Sequence, residues 1–300
     1  MASETKILYA SDLHGHQDLY TNLISNVKVH QPSILLLGGD LTPKFKSSNC
    51  LVADQIKFLK NLRDYFYQIK SHQPDIEIGF ILGNDDFIAS KLELQNLIHS
   101  NLATLLDKQL WVTNSGWEIL GFDLVPETPF SLKDHERLDT ADCKVKFYLE
   151  SIVVSHDNHL RTSKQWFENH KTLQEELEIL PKFSNPNKSI LVAHAPPYET
   201  DLDLMIGNRH VGSKSIKNYL LNEQPRISLH GHIHESHMLT KKYSYYVGKT
   251  LSFNPGQMHL PDLDSVLITI SDSKLSHRFI GKTTASSKEA FSYLQGINSK

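Results

Sequence analysis

The sequence has little of several features that would assign a protein to a class at once. Its two cysteines, Cys50 and Cys143, are too few for a disulfide framework or a thiolate zinc site. Its strongly apolar runs, such as Ile34–Leu37, are far too short to span a bilayer. With 31 Lys and Arg against 34 Asp and Glu, it also lacks the basic excess expected of a protein that binds nucleic acid tightly.

The beginning of the sequence has no signal-peptide pattern, because Met1–Lys6 is polar and leads directly into a predicted strand. Together with two isolated thiols, this predicts a cytoplasmic protein without a membrane partner. A length of 300 residues and an apolar content of 39% suffice for one large α/β domain. Histidine is unusually frequent, with 17 copies, and several of these are expected to act as ligands.

Apolar strands and amphipathic helices alternate along the first hundred residues. Buried strands are predicted at 7–10, 34–37 and 76–82, and amphipathic helices at 19–27, 52–69 and 92–98. Strands that alternate with helices in this way predict a parallel or mixed sheet covered by helices.

The pattern is less regular after residue 110. Strands are predicted at 111–112, 117–125, 152–154, 190–193 and 227–229, with helices from Ser163 to Leu180 and at 213–223. Short alternating runs at 243–247, 266–270 and 277–280 indicate a second, partly antiparallel sheet. We interpret 1–281 as a single domain in which 126–188 is an elaboration over the site, and 282–300 as a polar tail with one helical candidate at 290–294.

Five of the apolar runs are followed by residues that can bind metal. The segments are Asp12-Leu13-His14, Gly39-Asp40, Gly83-Asn84-Asp85-Asp86, His194 and Gly231-His232-Ile233-His234. Because ligands in open α/β sheets gather at the carboxyl ends of strands, these side chains are expected to converge. Imidazole and carboxylate groups without thiolate suit Mn, Fe, Co, Ni or Zn.

Each segment by itself also has an ordinary structural explanation. Asp12-Leu13-His14 is more often the capped start of a helix, and Asp40 is a common type of turn residue. His194 alone would more often be a hydrogen-bonded core histidine. The metal-site prediction therefore depends on the ordered set and not on any single member.

The ordered set resembles the calcineurin-like metallophosphoesterase family, whose motifs are D-x-H, G-D, G-N-H-[D/E], H and G-H-x-H, over roughly residues 5–256. The resemblance implies an α/β fold, a four-layer α-β-β-α sandwich of two mixed sheets flanked by helices. It also implies two divalent transition-metal ions, with Mn favoured over Fe, Zn, Co or Ni. By the resemblance, Asp12, His14 and His234 would bind one metal, Asn84, His194 and His232 the other, and Asp40 both.

The same resemblance implies a phosphohydrolase in which a hydroxide shared by the two metals attacks phosphorus in line with the leaving oxygen. We favour a phosphodiesterase with a small or nucleotide-like phosphoester substrate. Two alternatives stay open, a nuclease of the same family and a non-catalytic metal-binding scaffold, like the retromer subunit that keeps this fold. The oligomeric state is not predicted.

The third motif departs from the family pattern, because Asp85 stands where the family has a histidine assigned to phosphate contact and leaving-group protonation. Asp85 is either a cap for the following segment or a catalytic group, and the sequence resembles a branch of the family with G-N-D-D. The candidate replacements for the missing imidazole are His16, His156, His159 and His210. Asn84 and Arg209 are candidate substrate contacts, and the N-terminus of the helix at 213–223 is a candidate anion site.

Overall fold

The computed structural model describes residues 4–44, 51–98, 101–146, 152–157, 159–163, 165–271 and 274–281. The predicted polar tail at 282–300, with its helical candidate, lies outside the described residues. Within the described part, no helix combines the length and the apolar character needed to cross a bilayer.

Strands and helices alternate through the first part of the chain and again after residue 186. The strands are β1 Thr5–Ala10, β2 Ile34–Gly38, β3 Glu77–Ile81, β4 Thr104–Leu105, β5 Leu110–Val112, β6 Glu118–Phe122, β7 Val125–Pro126, β8 Glu136–Arg137, β9 Ile152–His156, β10 His159–Ser163, β11 Ser189–Ala193, β12 Leu204–Met205, β13 Arg209–His210, β14 Ile227–Leu229, β15 Ser244–Val247, β16 Thr250–Phe253, β17 Ser265–Ile270 and β18 Leu275–Ile280. The α-helices are α1 Gln17–His30, α2 Leu51–His72, α3 Lys91–Ile98, α4 Leu173–Glu178, α5 Lys214–Glu223 and α6 Ser236–Thr240. Short 3-10 helices cover Ile88–Ser90 and Pro186–Lys188.

Two six-stranded sheets form the centre of the molecule. The first has the order β18-β17-β1-β2-β3-β4 and the second β15-β16-β14-β11-β6-β5. In the first sheet β1 to β4 are parallel, and β17 and β18 join antiparallel beside β1. In the second, β16, β14, β11 and β6 are parallel, with antiparallel strands at both edges. Both sheets are therefore mixed.

The apolar side chains divide these elements into four layers. Along β1, Leu8 and Ala10 pack against the first helical layer, α1 and α2, whereas Ile7 and Tyr9 pack between the two sheets. This alternation follows from the strand geometry, in which successive side chains point to opposite faces. On the far side, α4 and α5 cover the second sheet with an apolar cluster of their own. The predicted α-β-β-α sandwich is thus confirmed.

The second half of the chain differs from the prediction in two places. Only β15 of the three late alternating runs joins the second sheet, since β17 and β18 extend the first sheet. The predicted helix from Ser163 to Leu180 was wrong, because β10 continues to Ser163 and α4 covers only Leu173–Glu178. The helix starts late because Thr172 and Glu175 form a capping box there.

The described part of the elaboration at 126–188 packs on the rest of the chain, and two of its contacts lie close to the G-N-D-D segment. Leu132 lies in a small apolar cluster with Val52 of α2 and with Phe87, which follows the G-N-D-D segment. Beside it, the Asp134 carboxylate accepts a hydrogen bond from the Ile88 amide at 3.0 Å. The later part of the elaboration, α4, belongs instead to the outer helical layer against α5.

We expect Leu132→Ala to lower the free energy of unfolding by about 2–5 kcal/mol, because it leaves a cavity where a 2% exposed side chain packs. Phe130→Ala is the matched control, because Phe130 is 59% exposed in the same segment and its loss should cost within about 0.5 kcal/mol. Denaturant unfolding measures both values. A separate early transition in Leu132→Ala would contradict the interpretation of 1–281 as one domain.

Candidate metal centre

The carboxyl ends of five parallel strands supply the side chains that were predicted to bind metal. Asp12, Asp40 and Asn84 follow β1, β2 and β3 of the first sheet, and His194 and the pair His232 and His234 follow β11 and β14 of the second. The two sheets face each other, so loops from both meet above the apolar cluster between them. The structure brings the predicted set together.

The backbone of this set adopts an uncommon conformation. Asp12, His14, Asp40 and His232 have φ angles of 61°, 45°, 52° and 66°. Such left-handed conformations cost energy for residues with a side chain, and they cluster at functional sites where surrounding contacts impose them. Here the Asp12 amide donates to the Gly39 carbonyl at 3.0 Å and the His14 amide to that of Asp40 at 2.8 Å.

Two glycines allow the close approach of these loops. A Cβ at Gly83 would collide with the Asp40 carboxylate and with the Nε2 atom of His194. A Cβ at Gly231 would collide with Asp12 in the same way. Because glycine has no side chain, the backbone of each ligand loop can pass directly beside the ligands of another.

Four of the side chains form a compact group. The Nε2 atoms of His14 and His234 lie 3.2 Å apart, and His234 Nε2 lies 3.2 Å from Asp12 Oδ1. Asp40 Oδ2 completes the group at 3.8 Å from His14 Nε2. One ligand atom from each of the four residues fits within 4.8 Å of all the others, so the group could hold a metal ion.

A second group adjoins the first through Asp40. His194 Nε2 lies 3.2 Å from Asn84 Oδ1 and 3.4 Å from Asp40 Oδ2. The His232 ring stands edge-on to the His194 ring, with centroids 5.2 Å apart. The Asp40 oxygen that faces His194 is the same one that faces His14, which is the placement expected of a carboxylate shared by two ions.

The spacing of these atoms fits divalent transition metals. Two ligand atoms at about 2.1 Å from one ion lie roughly 3.0–3.4 Å apart at octahedral or tetrahedral angles. The closest pairs, at 3.2 Å in three cases and 3.4 Å in the fourth, match this range. The donors are imidazole nitrogens and carboxylate or amide oxygens, the mixture that Mn, Fe, Co, Ni and Zn accept.

Hydrogen bonds from the surroundings orient two of the ligands. His194 donates from Nδ1 to the Gly38 carbonyl at 2.7 Å, so its Nε2 atom is the one turned toward Asp40 and Asn84. The Asp12 carboxylate accepts from the His232 amide at 3.1 Å. Such outer contacts fix the ring orientation and tautomer of metal-binding histidines.

Asp86, which the sequence analysis did not assign to the site, anchors the two ligand loops. Its buried carboxylate accepts hydrogen bonds from the amides of Leu41 at 3.1 Å, Thr42 at 2.8 Å and Gly83 at 2.9 Å. It therefore ties the loop that carries Asp40 to the loop that carries Asn84. The acidic fourth position of the G-N-H-[D/E] motif is the sequence signal by which Asp86 could have been assigned to the site.

The charges within the group shift its titration strongly. Burial by itself would lower the pKa of His194, but the charge and hydrogen bond of Asp40 outweigh it and raise that pKa to about 10. Burial and the neighbouring positive His194 lower the pKa of His232 to about 3. Burial opposes ionisation of Asp40, yet His194 and His14 hold the pKa of that carboxyl well below its usual value.

Asp85, in the position of the missing family histidine, lies on the Nδ1 side of the His14 ring. Its Oδ2 atom is 3.7 Å from His14 Nδ1 and 4.0 Å from the Lys44 ammonium. Burial, and then the negative charge of Asp40, raise the pKa of Asp85 to about 8. Asp85 is thus next to the centre, as expected of either a catalytic group or a support for His14.

The four histidines considered as replacements lie in exposed positions. His16 precedes α1, and His156 and His159 face each other across the β9–β10 hairpin. His210 and Arg209 form β13, where His210 Nδ1 contacts the buried Asp203 carboxylate at 2.8 Å. The Asp203 loop is attached to the G-H-x-H loop, because the Ile206 amide donates to Glu235 at 3.3 Å.

The N-terminus of α5, a candidate anion site for which a helix cap at Ser213 was the alternative, is occupied by side chains of the protein itself. The Asp139 carboxylate accepts hydrogen bonds there from the Lys214 amide at 2.8 Å and from the Ser213 hydroxyl at 2.5 Å. An acidic side chain at a helix N-terminus satisfies the same amides that a substrate phosphate would need. Ser213 itself caps the helix, because its hydroxyl accepts from the Ile216 amide at 3.0 Å, and Asp139 adds its carboxylate from a distant part of the chain.

The chain is similar to known proteins in sequence and in fold. The family model described as calcineurin-like phosphoesterase matches residues 5–236. The Uncharacterized protein MJ1162 of Methanocaldococcus jannaschii is 41% identical over 88 residues, which are 27% of this chain and 38% of that protein. The match therefore spans well under half of this relative's length.

Two solved structures share the fold. One crystal structure covers 93% of this chain and 99% of its own, with a TM-score of 0.60 and 14% identity. The crystal structure of TT1561 from Thermus thermophilus covers 92% and 99%, with a TM-score of 0.53 and 12% identity. At such low identity these likenesses show the architecture alone.

We expect the chain saturated with Mn to bind two ions, and Asp40→Ala to lose most of both, because its carboxylate faces both groups. His234→Ala should preferentially weaken one ion, by at least about tenfold, since removing a direct ligand costs more than removing an outer contact. Asp64→Ala is the control, because this side chain is 57% exposed beside Arg63 on α2. Elemental analysis after dialysis gives the stoichiometry. At most one ion in the wild type would contradict a shared Asp40.

Proposed function

Because this chain belongs to the calcineurin-like phosphoesterase family, we propose that it is a phosphohydrolase that uses two divalent metals. More narrowly, we propose a phosphodiesterase with a small or nucleotide-like substrate. The observation that carries the proposal is the position of Asp40 Oδ2 between His14 Nε2 and His194 Nε2, at 3.8 and 3.4 Å.

The chain's own residues have separate tasks in this chemistry. The metal pair, when bound, supplies Lewis acidity toward the phosphoryl group and lowers the pKa of the attacking water. Asp12, Asp40 and the imidazoles hold the pair on loops whose backbone is fixed by Asp86. Asn84 presents its oxygen to His194 Nε2, which leaves its amide NH2 group to donate to a phosphoryl oxygen.

Charge supports a small substrate over a long nucleic acid. The formal net charge of the whole chain is −3, so the chain lacks the excess of basic residues that binds the phosphates of a long nucleic acid. A scaffold without activity is disfavoured because the described structure retains the complete predicted ligand set.

The segment at 126–188 is proposed to form one wall of the substrate site. Its Ser155 hydroxyl accepts a hydrogen bond from the Ala89 amide at 2.9 Å, and its Leu132 packs against Phe87. The two partners, Ala89 and Phe87, lie within a few residues of Asn84 and Asp85. A shift of the segment at 126–188 can therefore move the loop that carries Asn84. We therefore assign substrate selection, and not metal binding, to this segment.

Two further properties belong to the proposal. Manganese is the favoured metal because the donor set is hard to borderline and includes no thiolate. Cys143 is a free thiol, which agrees with the reducing cytoplasm that the cysteine pattern predicts.

A substrate screen tests the proposed activity directly. The Mn-loaded wild type should hydrolyse at least one of five classes, namely phosphomonoesters, cyclic nucleotides, dinucleotides, aryl diesters and single-stranded DNA, and Asp40→Ala should not. The metal content of both proteins is measured alongside. Wild-type protein that binds two ions and hydrolyses none of these esters would favour the scaffold alternative.

We expect the wild type to hydrolyse bis(p-nitrophenyl) phosphate faster than dimethyl-type alkyl diesters by on the order of 10²-fold or more. General acid assistance is worth roughly 10²–10⁴-fold, and a p-nitrophenolate leaving group needs little protonation whereas an alkoxide needs much. The comparison uses kcat/KM under conditions where chemistry limits the rate. Equal rates on both esters would mean that another acid is present, and His210→Ala and His16→Ala would then identify it.

A further inference from the structure

Lys44 and Asp85 are held side by side at the entrance to the metal centre. The Gln55 side chain of α2 donates from Nε2 to the Pro43 carbonyl at 2.9 Å and to the Asp85 carbonyl at 2.7 Å. Gln55 is 1% exposed, and its Oε1 atom accepts from the Phe87 amide at 2.8 Å. A single buried amide thus sets the distance between the two segments.

The loop that leads to Lys44 is also fixed from its other end. The Asp86 carboxylate binds the amides of Leu41 and Thr42, and Pro43 packs against Gly15 so closely that a Cβ there would collide with it. The residues just before Lys44 are therefore held by the same side chain that anchors the loop of Asp40.

Three polar side chains of different exposure are neighbours here. The Lys44 side chain is 47% exposed, that of Asp85 is 19% exposed and that of His14 is 4% exposed. Asp85 Oδ2 lies 4.0 Å from Lys44 Nζ and 3.7 Å from His14 Nδ1. On its opposite side, His14 turns Nε2 toward His234 and Asp40.

Neither contact of Asp85 is a closed hydrogen bond. His14 Nδ1 is buried and has no hydrogen-bond partner in the described part of the chain, and Asp85 Oδ2 lies 3.7 Å from it. The Lys44 ammonium is likewise near Asp85 without direct contact, and such loose exposed pairs contribute little energy. A substrate anion can therefore attract Lys44 without breaking a strong interaction.

We propose that Lys44 and Asp85 together replace the imidazole that the family motif has at position 85. Lys44 is the substrate-binding residue, and its ammonium binds a non-bridging phosphoryl oxygen. Asp85 is a positioning residue that orients His14 from behind, as carboxylates do for metal-binding histidines, and keeps Lys44 at the entrance. This division of roles rests on the proposed phosphohydrolase function.

Lysine suits this role because its ammonium is a compact charge with three donors on a flexible stem. It can follow the phosphoryl group as the bond to the leaving oxygen lengthens. It cannot protonate an alkoxide as readily as an imidazolium, since its usual pKa is much higher. The assignment therefore agrees with a strong dependence on the leaving group.

The test compares Lys44→Met, Lys44→Arg and the matched control Lys6→Met, all as full-length chains loaded with Mn. Lys6 is 40% exposed and lies 3.6 Å from Glu4, so its exposure and pairing resemble those of Lys44. It stands near the amino end of β1, at the opposite end of that strand from Asp12. The measurements are Mn content, the dissociation constant of inorganic phosphate by calorimetry, and kcat and KM for bis(p-nitrophenyl) phosphate.

In Lys44→Met, the phosphate dissociation constant and KM should each rise on the order of 10- to 100-fold, the range for losing a hydrogen bond from a charged donor. Mn content and kcat should change by less than roughly threefold. Lys44→Arg should recover most of the affinity because it keeps the charge, and Lys6→Met should match the wild type. Equal phosphate affinity and KM in Lys44→Met and Lys6→Met would overturn the proposal.

The role of Asp85 has its own measurement. Asp85→Asn should weaken Mn binding by about tenfold while the unfolding midpoint of the metal-free protein stays unchanged, because the amide cannot accept from His14 as strongly as a carboxylate. Unchanged Mn affinity would overturn the positioning role. If no ester is hydrolysed but Mn-dependent phosphate binding still requires Lys44, the proposed activity fails while the anion-binding role stands. No phosphate binding to the Mn-loaded wild type would overturn that role as well.

Discussion

The attraction between the buried Asp40 carboxylate and the imidazoles on either side of it is the interaction on which the rest of the centre depends. Asp40 is 2% exposed, and a carboxylate in that position is costly unless opposite charge and hydrogen bonds surround it. His14 and His194 approach it from the first and the second sheet, and the Asp85 amide donates to its Oδ1 at 2.8 Å. This arrangement requires the left-handed backbone at Asp40 and the absence of a side chain at Gly83, where a Cβ would collide with the Asp40 carboxylate.

Because ligands come from both sheets, packing between the sheets is part of the function. The layer between them is made of branched and aromatic side chains such as Ile7, Tyr9 and Phe253, which fix the separation of the loops above. His230 supports the same region without being a ligand. Its Nδ1 atom lies 2.9 Å from the carbonyls of Ala193 and Ala195, and burial lowers its pKa to about 4, so it is a neutral brace between β14 and the loop of His194.

Two differences between the sequence analysis and the structure have physical causes that can be named. The helix predicted from Ser163 does not form at Trp166, where the side chain makes tertiary contacts instead. It donates a hydrogen bond to the Glu136 carbonyl at 3.0 Å and stacks beneath Arg137. The N-terminus of α5 was a candidate anion site, yet the carboxylate of Asp139, far away along the chain, accepts from the Lys214 amide there. Distant partners such as Asp139 cannot be read from helical periodicity or from a local cap signal. The start of α4, in contrast, follows the local capping box of Thr172 and Glu175.

The sequence by itself determined the chemistry and the order of the site. Apolar runs of strand length that are followed by Asp, Asn or His predict which residues lie at the carboxyl edge of a sheet, because a parallel strand ends at that edge. The tertiary structure decided which loops face each other, which sheet received β17 and β18, and how Asp86 and Gln55 connect segments that are distant in sequence. It also decided that Lys44 stands next to Asp85. These contacts depend on how whole layers pack, and packing of layers is a property of the complete fold that no local pattern encodes.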